Sequence, residues 1–267
     1  MRALKAVRPP IAIEREYHKR LKKLLKEMDR SLFWWLRAEL RKNGVSDGIA
    51  ISMADKLKKL QTYWQKRYEE EAWKTAEWFA NSTQKYITTN LQGQMKRTGL
   101  NKLGFDLKYT YHSRAERNTF QSIVRQNVNL ITSIASEHLT NVNGVIFRGI
   151  ETGHDLARIS EDLEKTFGVS ERRAQMIARD QTNKATNNLS RDRLMSYGIT
   201  KGKWLHTSSG KTYRDSHVEM DGEIYDIEEG CFDEDYGDYI QPGELVNCHC
   251  CCVPVIDMGN GEVEENE

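Results

Sequence analysis

The chain has 267 residues with a formal net charge of +1, 38% hydrophobic and 30% charged residues. That length allows one large or two modest domains with a buried core, and the polar balance suits long helices with solvated faces. No apolar run approaches the roughly 18 residues of a membrane span, and the basic N-terminus lacks the apolar centre of a secretory signal, so a membrane protein is not expected.

The average charge hides a strong asymmetry. Positions 215–267 contain no lysine or arginine but hold 17 of the 39 acids and all five cysteines, which leaves 40 bases against 22 acids in the first 214 positions, or +18. Such a basic segment is drawn to nucleic acid, to an acidic protein surface or to the chain's own acidic end.

Pro9-Pro10 ends a short leader, and a helical pattern then runs over 11–44, with Leu21, Leu24, Leu25, Met28, Leu32, Leu36 and Leu40 at three- and four-residue steps. The opposite face is basic, and Lys19, Arg20, Lys22, Lys23 and Lys26 are the candidate nucleic-acid contacts. A second pattern, with Met53, Leu57, Leu60, Trp64, Tyr68 and Trp73, continues through Trp78, Phe79 and Tyr86. Trp34, Trp35, Trp64, Trp73 and Trp78 are read as the seam of a helical hairpin, with a partner-docking aromatic surface as the alternative. Gly93, Gly99 and Gly104 suggest a connector over 93–111. A third helix is expected over 113–140, then a short segment 145–150 between turns at Gly149 and Gly153. A compact helix follows over 154–167, closed by Gly168. Ser170 reads as the N-cap of a helix over 171–197, stopped by Gly198.

Beyond Ile199 the character changes: Trp204, Ile224-Tyr225 and Val253-Pro254-Val255-Ile256 are short strand candidates between Gly- and Asp-rich turns. The predicted class is α+β. A basic helical stem occupies 1–110. A second domain spans 111–267, with helices over 113–197, a small β-hairpin-rich, Cys/His-containing module over 200–258 and an acidic tail over 259–267.

Chemistry concentrates in that module. Pro242-Gly243-Glu244-Leu245-Val246-Asn247-Cys248-His249-Cys250-Cys251-Cys252 is a tight turn followed by a sulfur cluster, and His217 lies upstream. A histidine and paired cysteines brought together from two hairpins can form a closed metal site. Adjacent cysteines are poorly placed to pair with each other, so a disulfide framework is not expected and a reducing cytoplasm is. A catalytic alternative uses Cys248 or Cys250 as nucleophile, His217 as base and Asp221 or Asp215 as its orienter, in a cysteine hydrolase or toxin-like effector. No Gly-rich phosphate loop or metalloprotease His-Glu pair is present.

From about position 149 onward a set of fragments occurs in order: Arg148-Gly149-Ile150, Gly153-His154-Asp155 and Thr166-Phe167-Gly168-Val169-Ser170. Arg173-Ala174-Gln175-Met176-Ile177-Ala178-Arg179-Asp180-Gln181-Thr182-Asn183-Lys184-Ala185, Gly198-Ile199 and Lys203-Trp204-Leu205-His206-Thr207 come next. Arg214-Asp215-Ser216-His217, Asp221-Gly222, Pro242-Gly243-Glu244 and Asn247-Cys248-His249-Cys250 complete the set. Taken together, this segment resembles the Mu F-like phage head morphogenesis family, the minor head proteins of tailed bacteriophages. The resemblance implies a non-enzymatic structural protein of the virion, attached to the portal vertex and acting in head assembly. Portal and other head proteins would be its partners, in several copies per virion, and phage DNA would be contacted nonspecifically during packaging or ejection. Synthesis would be in the host cytoplasm.

One branch of that family carries a Cys-x-x-Cys pair before the Asp-Gly turn and a closing His-x-x-Cys-x-Cys, which looks like a zinc site. Here Arg214 and His217 stand at the first pair and Leu245 at the later histidine. The retained zinc ligands are His217, Cys248 and Cys250, with Cys231, His249, Cys251 or Cys252 as the fourth, Cys231 foremost. The metal-free alternative has His217 bonding the Asn247 turn and the cysteines packing as small buried groups. Arg214, Asp221, Gly222, Pro242, Gly243 and Asn247 are the structural turn residues. The few positions after the cysteine cluster argue against an attached effector domain.

Overall fold

The computed structural model describes residues 2–43, 49–100, 113–152, 156–207 and 213–256. In chain order these form β1 (Arg2–Ala3), α1 (Ile11–Asn43), α2 (Ile49–Arg97), α3 (Arg114–Glu151), α4 (Leu156–Ser196), β2 (Lys201–Leu205), α5 (Asp215–Glu219), β3 (Ile224–Asp226), β4 (Cys231–Asp233), β5 (Asp238–Ile240) and β6 (Cys251–Ile256). The architecture is α+β, as the sequence predicts.

The chain divides into two units, and neither is continuous in sequence. A helical unit takes 15–78 and 124–178, and a sheet unit takes 1–14, 79–123 and 179–267.

In the helical unit, α1 buries Tyr17, Leu21, Leu25, Met28, Leu32 and Leu36, the apolar stripe read from the leucine spacing. Each such side chain contributes about 1.5–3 kcal/mol when removed from water. The α2 segment answers with Met53, Leu57, Leu60, Trp64 and Tyr68, α3 with Ile131, Ile134 and Leu139, and α4 with Ile159, Leu163, Ala174 and Ile177. A few polar groups set the register between helices. The Tyr17 hydroxyl donates to Asn127 Oδ1 at 2.7 Å inside the core. His138 is fully buried, with Nδ1 2.9 Å from Ser170 Oγ and Nε2 3.6 Å from Asp29 Oδ1.

The tryptophan seam is confined to Trp64, which is buried and donates its indole N–H to Ser31 Oγ at 3.3 Å. Trp34 and Trp73 are 61% and 47% exposed, and the ring faces of Trp35 and Trp78 lie under cations, Lys56 Nζ at 3.1 Å and Arg20 Cζ at 3.9 Å from the ring centroids. Tryptophan's size lets it lie across a helix surface, so clustering in sequence does not make a seam.

Two glycines read as stops lie inside helices. Gly149 falls within α3, because Val142, Val145 and Ile146 carry the buried face onward, and Gly168 falls within α4. The compact helix and its successor are therefore one element. Ser170 is an interior residue whose hydroxyl turns back to the Thr166 carbonyl at 3.3 Å, rather than an N-cap. An interior glycine costs about 1 kcal/mol, less than the burial of the residues around it contributes. Gly93 likewise lies within α2, which stops at Gly99 with φ +72°. Gly44, Gly104, Gly153, His154 and the acidic tail lie outside the described residues.

The sheet unit begins with a feature absent from the sequence reading: the leader contributes a strand. The four-stranded sheet has the order β1-β6-β2-β3, all antiparallel, with Ala3 opposite Val255 and Trp204 opposite Cys252; β4 and β5 form a separate hairpin. Beyond β1, Lys5 exchanges two hydrogen bonds with the Gln94 amide, at 2.8 and 3.0 Å, which fixes the leader to α2.

The start of α3 carries a capping box: Glu116 N–H donates to Ser113 Oγ at 3.0 Å, and Ser113 N–H to Glu116 Oε2 at 2.9 Å. The other Glu116 oxygen meets Arg193 Nε at 2.9 Å in a buried ion pair, and Arg193 also donates to Thr88 Oγ1 at 3.2 Å. α4 ends as expected at Gly198 (φ +78°), where Ile199 N–H reaches back to the Leu194 carbonyl at 3.0 Å.

Candidate functional site

One face of α4 acts as a ruler for the cysteine loop. Asp180, Asn183 and Asn187 recur at three- and four-residue steps and so point the same way. Asp180 Oδ1 accepts the Asn247 N–H at 2.8 Å; Asn183 donates to the Cys248 carbonyl and Asn187 to the Cys250 carbonyl at 3.3 Å. Gly243 lies flush against these amides, and a Cβ there would fall 2.2 Å from Asn187 Nδ2. Gly243 (φ +79°) and Asn247 (φ +59°) take the left-handed conformation that the two reversals require. Pro242 and Gly243 are buried, and the turn is closed by Gln241 N–H donating to Glu244 Oε2 at 2.8 Å.

A second set of bonds positions the histidines. His206 follows β2, and its N–H donates to Asp221 Oδ1 at 2.7 Å, while Gly222 (φ +89°) donates to the Trp204 carbonyl at 2.9 Å. Arg214 caps the start of α5 in an extended conformation and donates to the Val246 carbonyl at 3.3 Å. α5 turns His217 inward against the fully buried Trp204, ring centroids 5.3 Å apart and edge to face. All six turn residues named from sequence thus lie at the two reversals and their supports.

These supports bring three donors together. His217, Cys248 and Cys250 are all buried, with their ligand atoms within 4.8 Å of one another. His217 Nδ1 lies 3.4 Å from Cys248 Sγ and 3.7 Å from Cys250 Sγ. Its Nε2 faces the fully buried Asp233 Oδ2 at 3.2 Å. The Asn247 turn bonds Asp180 instead of His217. A proton shared from Cys250 and the neighbouring His217 hold the Cys248 thiol below its ordinary range, while that shared bond and burial keep Cys250 above it.

The other sulfurs are differently placed. Cys231 is buried on β4 with its thiol pushed up to about 12 by burial, and Cys251 and Cys252 are raised in the same way, to about 11 and about 12. His249 is held below the ordinary imidazole range, mainly by burial. The trio includes none of these four.

Four contributors escaped the sequence reading. His206 Nδ1 lies 3.6 Å from Cys250 Sγ; its only sequence signal is a histidine just past a strand that carries a buried tryptophan. Asp233, within an acidic run, has no distinguishing signal. Asn183 and Asn187 look like an ordinary solvated helix face.

The candidate nucleic-acid contacts on α1 are unevenly available. Lys19, Lys23 and Lys26 are exposed, and Lys19 Nζ also lies 3.8 Å from Glu16 Oε2. Arg20 pairs with Glu16 at 3.1 Å and covers Trp78, and Lys22 is paired with Glu171.

The catalytic alternative finds a Cys–His–Asp arrangement, but its acid is Asp233. Asp221 is committed to the His206 backbone, and the arrangement is closed from solvent on every member.

The described residues thus combine long helices with a small antiparallel sheet and a buried His217, Cys248 and Cys250 group. Residues 140–253 match the family described as phage Mu protein F like protein. Over that segment the chain is similar to that phage-protein family. An uncharacterized protein of Haemophilus influenzae (strain ATCC 51907 / DSM 11121 / KW20 / Rd) is 33% identical over 184 residues, covering 67% of this chain and 37% of that protein. The chain thus spans little more than a third of that relative's length. No solved structure matches.

Proposed function

We propose that the protein is a minor structural component of the head of a tailed bacteriophage or prophage, attached at the portal vertex and acting during head assembly. The observation that carries this reading is the family match over 140–253, which takes in the whole cysteine loop and the helix that measures it. Every strongly built feature of the module is a clasp: buried side chains tie α4, β2, α5 and the loop into one body. That internal packing supports a structural reading of the module. The partners are the portal and neighbouring head proteins, and several copies enter each virion. The charge asymmetry supports electrostatic contact with packaged DNA, made by Lys19, Lys23 and Lys26 on α1.

Mass spectrometry of purified particles and of DNA-free proheads, with cross-linking of intact particles, tests the assignment. The protein is expected in both preparations, cross-linked to the portal. Presence in proheads alone would reduce it to a transient assembly factor, and absence from both would overturn the proposal.

A further inference from the structure

Three donors leave a structural zinc site one short, since such sites are almost always four-coordinate. His206 is placed to supply the fourth. Zinc–sulfur and zinc–nitrogen bonds of about 2.3 and 2.05 Å put nitrogen and sulfur ligands about 3.6 Å apart across a tetrahedral edge. The three nitrogen–sulfur separations here are 3.4, 3.7 and 3.6 Å, the last made by His206. His206 flanks the compact trio rather than belonging to it. Its backbone is fixed by Asp221, which holds the imidazole beside Cys250 Sγ on the side of the trio.

The surroundings are built for ligands. His217 presents Nδ1 to the thiols while its other nitrogen faces the Asp233 carboxylate, the carboxylate–histidine arrangement that orients metal-bound imidazoles. Asp233 is itself fixed, its Oδ1 accepting the N–H groups of Asp235 at 3.0 Å and Tyr236 at 3.2 Å. The carbonyls of Cys248 and Cys250 are tied to α4 from outside, and their sulfurs converge on the histidines.

We infer that His206, His217, Cys248 and Cys250 form a two-histidine, two-cysteine site for a zinc-class divalent cation, with Asp233 as the positioning residue for His217. The cation joins the end of β2, α5 and the cysteine loop, three segments that share no covalent crosslink. Cys231 is not a ligand. This inference rests on the module's own geometry and stands apart from where the protein resides in a particle.

The test uses the full-length chain, stripped with a chelator and then titrated with zinc against a competing chelator and with cobalt(II) as a spectroscopic probe. The wild type is expected to bind one ion and to show the intense visible absorption of four-coordinate cobalt with thiolate charge transfer. His206→Ala is expected to fold, lose the four-coordinate signature and bind at least about tenfold more weakly, and Asp233→Asn to lose about ten- to a hundredfold in affinity. Cys231→Ser is expected to match the wild type in both readouts. His206→Asn, which keeps a polar group at the strand end, gives the same reading should the alanine variant be unstable. Failure of the wild type to retain metal overturns the inference, as does a His206 variant with unchanged affinity and spectrum. Loss of metal from Cys231→Ser alone would move the fourth corner to that residue and equally overturn it.

Discussion

Replacing Gly243 by alanine tests whether the α4 face measures the cysteine loop. Gly243 has φ +79°, and an added Cβ would lie 2.2 Å from Asn187 Nδ2 and 3.0 Å from Asn183 Nδ2. The backbone term, a side chain in the left-handed region, is about 1 kcal/mol. The steric term is larger in consequence: the Asn187 amide must leave, and the buried Cys250 carbonyl loses its donor, at about 1–3 kcal/mol. Together they predict a loss of about 2–4 kcal/mol. Gly237 is an internal control, with nearly the same φ (+77°) but nothing within 4 Å of its added Cβ. Gly237→Ala should therefore cost the backbone term alone, about 1 kcal/mol. Thermal and urea unfolding of the two variants read the difference, with about 2–4 °C of melting temperature per kcal/mol for a chain of this size. Equal losses in the two variants would refute the packing argument and leave Gly243 a plain turn glycine.

Glu116→Ala should cost about 3–5 kcal/mol, because it strands the buried Arg193 guanidinium and opens the capping box; adding Arg193→Met should recover part of that loss in a double-mutant cycle followed by urea unfolding. Asn247→Gly should leave stability nearly unchanged, whereas Asn247→Ala loses about 1 kcal/mol in the same assay, since only the left-handed conformation is at stake. Lys19→Ala, Lys23→Ala and Lys26→Ala should each lower the salt-dependence slope of DNA binding by about 1 in gel-shift titrations of the full chain, and the paired Lys22→Ala by less. Burial pushes the Tyr17 and Tyr68 hydroxyls far above the ordinary tyrosine range. A raised folded-state pKa gives stability that is complete below about pH 10 and is lost as pH rises beyond it, because only the unfolded chain releases the proton. Tyr68→Phe should flatten that alkaline decline in pH-dependent melting.

The parts legible in the sequence were those with a repeating physical signal. The leucine spacing of α1 and its start after Pro10 survive in the structure, as do the aromatic and β-branched strands bounded by Gly and Asp. Gly198 reads correctly because nothing helical follows it, whereas Gly149 and Gly168 mislead because buried faces continue past them. β1 is too short to show alternation and exists only through its partner strand. At the candidate site, clustering points to the cysteine loop, but the choice of His217, Cys248 and Cys250 as ligands comes from the family resemblance. Asp233 and Asn187 are legible from neither, since a buried carboxylate and a structural amide have the same local sequence signature as their solvated counterparts.

The pairing of Arg2 and Ala3 with Ile256 and Val255 has a consequence for synthesis. At about 5–20 residues per second, the leader emerges tens of seconds before its partner strand. Leu4 and Val7, buried in the finished fold, wait uncovered for that interval. Helical segments can form in the meantime from local contacts, but the sheet is among the last things to close. A ribosome that stalls before β6 leaves a chain with helices and an unpaired leader, and so a surface that chaperones and proteases can tell from the completed protein.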